Sequence, residues 1–325
     1  MDKELPALSA TSLPDAATET ISRAVVAPMA AGAGMACGVF RPDGSFCDTS
    51  RTLLSAQRFT GIPDWTAPVD NLRGRHLFAG IGRHHFGHFL LESVCRLWPL
   101  GGDGAFDGIV IVPKQGIDFE AVYRRRLGSF IELLSGGLPV HFVTQPVEIE
   151  TLVVPTQGMG HRRWTTGSEV FRRFVRERIA QTIKPEGPEL LYISRSRLKR
   201  KDQMIDQEVR IEQLMQQSGY DVFHPQRHNV AAQCARYMAA GHIVGADGSA
   251  FHLAPMAMQP GTTVGLIARR ARPEIIEALT AQIKAFCETD LVTIDAVLPG
   301  KVARGESVRI DFDKLSAALD AAGLI

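Results

Sequence analysis

Apolar positions along the first half of the chain follow two different periods. Short runs of β-branched and aliphatic residues cover 108–113, 139–144 and 150–155, and the run 120–135 has helical spacing. Strand-like runs separated by a helix-like run are typical of βαβ units. The pattern therefore predicts an α/β arrangement for this half.

A helix followed by a strong break separates the two halves. From Ser168 onward, Phe171, Val175 and Ile179 recur at helical spacing, which predicts an amphipathic helix with Ser168 as its N-cap. The segment 184–189 then contains two prolines and a glycine, residues that interrupt regular elements. We place a domain boundary here, which gives domains of residues 1–183 and 184–325.

The second half repeats the alternation more clearly. Strands are predicted at LLYIS, YDVFHP, HIVGA and TTVGLIA, with helices between them and a short capped helix near the end. Strands separated by helices in this way predict a parallel, doubly wound sheet, whose ligands bind beyond the carboxyl ends of the strands. The first candidates for a site are therefore the residues that follow the strands, at 194–201, 224–228 and 246–249.

Length and charge narrow the classes of protein that fit this pattern. A single hydrophobic core usually stops growing below 325 residues, so we expect two Rossmann-like α/β domains with a deep cleft between them. The net charge is only +1, with 22% charged and 45% hydrophobic residues. This balance lacks the basic excess of nucleic-acid-binding proteins, so no nucleic-acid partner is expected.

Cysteines and apolar runs indicate the compartment. The five cysteines are scattered and form no CxxC pair, which argues against a disulfide framework and a structural zinc site. The first residues lack the regions of a secretory signal, and the longest apolar runs are far shorter than the roughly 20 residues of a spanning helix. We expect a cytoplasmic protein with at most peripheral contact at the inner membrane.

A dense basic segment follows the first strand of the second half. Residues 194–201 contain five cations and two serines, with Ser194 and Arg195 directly after the strand and Lys199 and Arg200 further on. Cations this close repel one another unless an anion is present, so a nucleotide diphosphate is one candidate ligand. A solvated surface loop is the alternative, since most runs of charge are simply exposed.

A glycine-containing turn follows the third strand of the second half. Gly248 and Ser249 stand between this strand and the next helix, where small residues admit a ligand to the backbone and a helix N-terminus favours phosphate. Glycine turns between strands and helices are also common for steric reasons alone. The turn is therefore weak evidence when it is considered by itself.

A histidine-rich segment in the first half offers different chemistry. If residues 84–92 form a helix, His84, His88 and Glu92 lie on one of its faces. His88 and Glu92 could then act as a general base and the carboxylate that orients it. Two alternatives stay open, because the three residues could bind zinc, although the HExxH pattern is absent, and single histidines often have a structural role.

Taken in order, these segments resemble the family 61 glycosyltransferases, which include bacterial capsular polysaccharide enzymes and eukaryotic O-GlcNAc and xylosyl transferases. The similar segments are HFGHFLLE at 85–92, LYISRSRLKRK at 191–201, GYDVFHPQ at 219–226 and GADGSAFH at 245–252. The resemblance covers roughly residues 76–267.

The resemblance implies a fold and a reaction. The fold is GT-B-like, with residues 1–183 as the acceptor-side domain and 184–325 as the nucleotide-sugar-binding domain. The reaction is an inverting transfer from a nucleotide sugar, expected to be a UDP-sugar, to a glycan or another hydroxyl acceptor, as in capsular or other surface polysaccharide synthesis. No cofactor and no obligatory metal are expected.

The resemblance also implies roles for individual residues. His88 is the preferred general base, oriented by Glu92, and Asp247 is the rival base. Binding of the donor and its diphosphate is assigned to Ser194, Arg195, Lys199, Arg200, Gly248, Ser249 and His252. Cations and helix N-termini at these positions would stabilise the charge that develops on the leaving diphosphate.

Several positions depart from the family pattern. His85 replaces an asparagine, Asp247 replaces a histidine, and Gln226 and Leu266 stand where the pattern has acids. The missing acids are compatible with a protein that binds a sugar nucleotide or glycan without catalysis. A metal-dependent hydrolase built on His84, His88 and Glu92 is a further alternative.

Overall fold

The computed structural model describes residues 11–29, 35–55, 57–198, 204–269, 272–299 and 306–325. By its internal contacts the chain divides into two compact units, Met1–Arg178 and Ile179–Ile325. One sheet is mixed and the other is parallel, and helices connect their strands. The predicted α/β class is therefore confirmed, while the GT-B-like arrangement and the domains at 1–183 and 184–325 stay predictions.

Seven strands form the sheet of the first unit. They are β1 (Thr18–Ala27), β2 (Gly38–Phe40), β3 (Phe46–Cys47), β4 (Asp70–Gly82), β5 (Gly108–Pro113), β6 (Val140–Phe142) and β7 (Val147–Pro155). Their order is β3-β2-β1-β7-β4-β5-β6. The strands from β7 to β6 in this order are parallel, whereas β1 pairs antiparallel with both β2 and β7.

The sequence pattern found only the last three of these strands. β4 shows why, because it begins with polar residues that include Arg73 and Arg75, and only its second half, from His76 onward, is continuously buried. Its glycines also lower the strand propensity. Pairing with two neighbours, β5 and β7, overrides this weak local preference.

The helices in the first half of the chain are α1 (Phe86–Glu92), α2 (Phe119–Val122), α3 (Gly128–Ser135) and α4 (Glu169–Thr182), with a π-helical segment between α2 and α3. The amide of Phe171 donates to Ser168 Oγ at 3.3 Å, so the predicted capping role of Ser168 is confirmed. α1 begins only after its N-cap, His85. His84 therefore precedes the helix and does not share a helical face with His88, which corrects the prediction for His84.

A buried arginine fastens the segment after α1 to two other stretches of the first unit. The guanidinium of Arg96 donates to the backbone carbonyls of Thr49, Arg51 and Pro155. Burial lowers the pKa of Arg96 to about 10. Removing these three bonds would leave buried carbonyls unsatisfied, so the side chain holds the end of β7 against this segment.

The helix α1 also lies unusually close to β4. Ser93 Oγ donates to the Ile81 carbonyl at 2.7 Å. Gly80 has a φ of +72°, and a Cβ at this position would lie 2.8 Å from the Glu92 carbonyl oxygen. Glycine is therefore required at residue 80, both by the backbone conformation and by the close approach of α1.

The second unit contains a five-stranded parallel sheet. Its strands are β8 (Leu190–Ile193), β9 (Asp221–Phe223), β10 (His242–Ala246), β11 (Thr263–Ile267) and β12 (Leu291–Ile294), in the order β12-β11-β10-β8-β9. The helices are α5 (Glu208–Gln217), α6 (Val230–Ala239), α7 (Ala250–Ala257), α8 (Pro273–Cys287) and α9 (Phe312–Ala321). The predicted parallel sheet is confirmed, and β12 is an additional strand.

The five cysteines are all buried free thiols. Burial raises the pKa of Cys37, Cys47, Cys95 and Cys234 to about 12, which makes their thiolates scarce at neutral pH. Among the described helices, none combines the length and the apolar character that crossing a membrane requires.

Candidate active site

In the first unit, four polar side chains meet where two neighbouring strands end. β4 and β7 are parallel neighbours, so their carboxyl ends lie at the same edge of the sheet. Arg83 directly follows β4, and α1 then carries His88 and Glu92, while His161 comes from the loop after β7. We call Arg83, His88, Glu92 and His161 the Glu92 cluster.

The pair that the sequence suggested lies at the centre of this cluster. His88 Nδ1 is 2.7 Å from Glu92 Oε1, one helical turn further along α1. Glu92 is fully buried, whereas the His88 side chain is 31% exposed. A buried carboxylate thus holds a partly exposed imidazole, which is the arrangement of an oriented base.

Two further members of the cluster were not singled out from the sequence. His161 Nε2 lies 2.9 Å from the same Glu92 oxygen, and Arg83 Nη1 lies 3.1 Å from it. Both residues follow strands of the parallel part of the sheet. The rule that ligands bind beyond the carboxyl ends of strands, applied to the first half as well, would have pointed to them.

The loop that carries His161 is fastened to α1 by backbone and side-chain bonds. Gln157 is buried, and its amide nitrogen donates to the Leu91 carbonyl at 2.9 Å while its oxygen accepts from the Leu53 amide at 2.7 Å. The amide of Gly158 donates to the Cys95 carbonyl at 3.0 Å. These bonds fix the start of the loop, and so the position of His161 relative to Glu92.

The electrostatic balance of the cluster keeps Glu92 ionised. Burial alone would raise the pKa of Glu92, but the hydrogen bonds from His161 and His88, with the charge of Arg83, outweigh it and hold that pKa below its ordinary value. An ionised carboxylate only accepts hydrogen bonds, so His88 Nδ1 must carry the proton that it donates. In the neutral ring the other nitrogen of His88, Nε2, is then an acceptor.

The cluster also has the residue types of a metal site. The ligand atoms of His88, Glu92 and His161 all lie within 4.8 Å of one another. However, both histidines are at hydrogen-bond distance from Glu92, and Arg83 Nη1 lies 3.1 Å from both His88 Nδ1 and Glu92 Oε1. The guanidinium thus stands beside the two atoms that an ion would have to bridge.

In the second unit, the candidate donor residues follow the parallel neighbours β8 and β10. The backbone amide of Arg195 donates to Glu208 Oε1 at 2.8 Å. A Cβ added to Gly248 would collide with Arg195 Nη1, so the guanidinium lies directly against the glycine turn. The structure brings Arg195 and Gly248 together, whereas Lys199 and Arg200 lie outside the described residues.

The hydroxyl of Ser194 is engaged with a carboxylate. Ser194 is buried, and its Oγ donates to Glu212 Oε1 at 2.6 Å, as Ser196 Oγ does at 2.5 Å. Glu208, one turn earlier on α5, is also buried, and burial raises its pKa. The sequence indicated Glu208 and Glu212 only as positions of a helix, because nothing in it placed that helix beside Arg195.

The predicted rival base, Asp247, is buried in an ion pair. Its Oδ1 accepts from the Arg269 amide at 3.0 Å, and Arg269 Nη2 lies 3.5 Å from Oδ2. Arg269 Nε also donates to the Asp247 carbonyl at 2.8 Å. This pairing leaves the Asp247 side chain almost without solvent contact.

The remaining predicted residues lie on or beside α7. Ser249 is the N-cap of α7, although its side chain makes no capping bond. His252 is held by Gln282, whose Oε1 lies 2.8 Å from His252 Nδ1 and whose amide nitrogen donates to the His252 carbonyl at 2.9 Å. Of the two positions without the expected acid, Gln226 is exposed and Leu266 is fully buried in β11.

Comparison with protein-family models gives a match. The model of the family described as Glycosyltransferase 61 matches residues 86–265, which is just over half of the 325 residues. The match begins at the first residue of α1 and ends in β11, so it contains His88, Glu92, His161 and Arg195. A search among curated proteins finds no match.

Proposed function

This chain belongs to glycosyltransferase family 61, and we propose that it transfers a sugar from a nucleotide-sugar donor to a hydroxyl acceptor with inversion at the anomeric carbon. Glycosyltransferase activity follows from the family. The proposal adds the inverting mechanism, a UDP-sugar as donor, a glycan as acceptor, a GT-B-like arrangement and a role in capsular or other surface polysaccharide synthesis. It includes no obligatory metal.

The contact between His88 Nδ1 and Glu92 Oε1, at 2.7 Å, carries this proposal. It leaves His88 Nε2 as an acceptor on a partly exposed ring, so this nitrogen can take the proton of an acceptor hydroxyl. The hydroxyl oxygen then attacks the anomeric carbon while the diphosphate leaves. Glu92 stabilises the imidazolium that forms, without taking the proton itself.

The leaving diphosphate is assigned to the carboxyl edge of β8 and β10. Arg195 supplies a cation directly against the Gly248 turn, and Ser249 begins α7, whose N-terminal amides favour negative charge. Lys199 and Arg200 are proposed to add charge to the same group. Ser194 acts indirectly in this proposal, because its hydroxyl is bonded to Glu212.

His88 is the better base of the two candidates. Asp247 is nearly inaccessible and paired with Arg269, whereas His88 is partly exposed and oriented by a carboxylate. A base must reach the hydroxyl proton within hydrogen-bond distance, directly or through one water. Asp247 is therefore proposed to orient Arg269 and the turn that precedes α7.

The proposal is tested by incubating the purified protein with a panel of nucleotide sugars and saccharide acceptors. Thermal shift identifies the donor, and NMR of the product reports the anomeric configuration. We expect stabilisation by one nucleoside diphosphate sugar and a product of inverted configuration. Retention would contradict the mechanism, and donor binding without transfer or hydrolysis would favour a non-catalytic binding protein.

A further inference from the structure

We propose that His161 is a positioning residue, which holds the Glu92 carboxylate so that His88 keeps its proton on Nδ1 and presents Nε2 as the base. The inference rests on the proposed function and adds a residue from a different part of the chain. His161 lies in the loop after β7, whereas His88 and Glu92 both belong to α1.

The geometry that supports this role is a single oxygen shared by two imidazoles. Glu92 Oε1 is 2.7 Å from His88 Nδ1 and 2.9 Å from His161 Nε2. The rings of the two histidines also pack on each other, with centroids 5.1 Å apart. The other carboxylate oxygen, Oε2, is buried and has no hydrogen-bond partner among the described residues. All hydrogen bonding of this carboxylate therefore converges on Oε1.

Loss of His161 would remove one of the hydrogen-bond donors of the Glu92 carboxylate. The carboxylate is fully buried, so its ionised form depends on the donors around it. The hydrogen bonds from His161 and His88, together with the charge of Arg83, lower the pKa of Glu92. A protonated Glu92 would donate to His88 Nδ1, and the imidazole would then carry its own proton on Nε2, where it cannot act as a base.

The environment of His161 favours a role as a positioning residue over a role as the base that takes the proton of the acceptor hydroxyl. The His161 side chain is 16% exposed, about half as much as that of His88. Its loop is held to α1 through Gln157 and to the turn after α1 through Gly158, so the ring is set by the fold.

The test compares His161→Leu, which cannot donate a hydrogen bond, with His161→Gln, whose amide can donate from a position close to that of Nε2. Nitrogen-15 NMR of the histidine rings reports the tautomer of His88 without any substrate. We expect the Nδ1–H tautomer in the wild type and in His161→Gln, and a shift toward Nε2–H in His161→Leu. The transfer rate should fall by ~10²-fold in His161→Leu and recover most of its value in His161→Gln.

Matched controls separate this role from a structural one. His141 on β6, which packs edge-on against His76 at 5.2 Å, receives the same two substitutions, and neither should alter transfer or the His88 tautomer. Thermal unfolding is followed for every variant. If His161→Leu is folded and keeps the wild-type tautomer and rate, or if the wild type already has the Nε2–H tautomer, the role is refuted. A wild type that shows no transfer refutes the proposed function, and the tautomer still decides the role of His161.

Discussion

Arg83 Nη1 lies 3.1 Å from Glu92 Oε1 and 3.1 Å from His88 Nδ1. The guanidinium thus supplies a positive charge beside the two atoms that a metal ion would need as ligands. Its side chain is mostly buried, and the carboxylate is fully buried, so the attraction is weakly screened by solvent. We therefore expect this arginine, and not a metal ion, to supply the positive charge at this place.

The first prediction concerns metal content. We expect transfer and nucleotide affinity of the wild type to be unchanged by EDTA, because Arg83 and the basic residues near Gly248 supply the charge. Arg83→Ala should open a zinc site at His88, Glu92 and His161, detectable as increased zinc in elemental analysis. Arg124→Ala, which removes an exposed arginine paired with Glu120, is the control. Stoichiometric zinc in the active wild type would contradict this prediction.

The second prediction separates catalysis from donor binding. His88→Ala should lower the transfer rate by about 10² to 10⁴, the usual contribution of a general base, with nearly unchanged donor affinity. Rate and nucleotide binding are measured on one preparation, with His141→Ala as the control. A parallel loss of nucleotide binding would place His88 in the donor pocket. If transfer activity survives in His88→Ala, Asp247 becomes the leading candidate for the general base.

The third prediction concerns the diphosphate. Arg195→Ala should weaken binding of a nucleoside diphosphate by about 1.5 to 3 kcal/mol, the contribution of a charge-assisted hydrogen bond. Calorimetric titration measures the affinity. Arg236→Ala is the matched control, because Arg236 pairs with Asp221 on the same unit. Equal affinities for Arg195→Ala and the wild type would mean that the basic segment is only solvated surface.

The fourth prediction uses the contact between Gly248 and Arg195. In Gly248→Ala the new methyl group would collide with Arg195 Nη1, and a flexible side chain gives way more easily than the backbone. We expect a folded protein with weaker diphosphate binding. The effects of Gly248→Ala and Arg195→Ala on diphosphate affinity should not be additive, because both substitutions act through the same guanidinium. Full additivity in the double variant would show that Gly248 affects the ligand independently.

The fifth prediction concerns pH and Glu208. Burial raises its pKa above the ordinary value of 4.5, so the folded protein binds the proton more tightly than the unfolded chain. Its contribution to stability is therefore largest below pH 4.5 and is lost as the pH rises through the raised pKa, by about 1.4 kcal/mol for each pKa unit. Glu208→Gln lacks this loss, so its stability relative to the wild type should improve with rising pH. Denaturant unfolding across this range measures the difference, and a constant difference would refute it.

Local sequence patterns predicted the elements that contain short apolar runs. The strands from β5 to β11 contain such runs, and the alternation of β8 to β11 with helices predicted the parallel sheet of the second unit. β1 and β4 were not predicted, because polar residues fill part of each strand. Only the neighbouring strands decide which of their faces is buried. The π-helical turn at Tyr123–Leu127 has no sequence signal of this kind.

The candidate site was predictable where it depends on short spacing. His88 and Glu92 are one helical turn apart, so the sequence alone could pair them. His161 is paired with them only because β7 returns to lie beside β4, and Arg269 reaches Asp247 because β11 lies beside β10. Contacts that depend on the order of the strands in a sheet leave no pattern in the local sequence, so the sequence alone does not predict them.

The bonds of Arg96 to Thr49, Arg51 and Pro155 join positions that lie between 45 and 59 residues apart along the chain. Closing the intervening loops costs conformational entropy, which the contacts must offset once they form. β7 is also the last strand of its sheet to be synthesised, yet it lies between β1 and β4. Its insertion brings Pro155 to Arg96 and the following loop to α1. His161 therefore reaches His88 and Glu92 only when this central strand has entered the sheet.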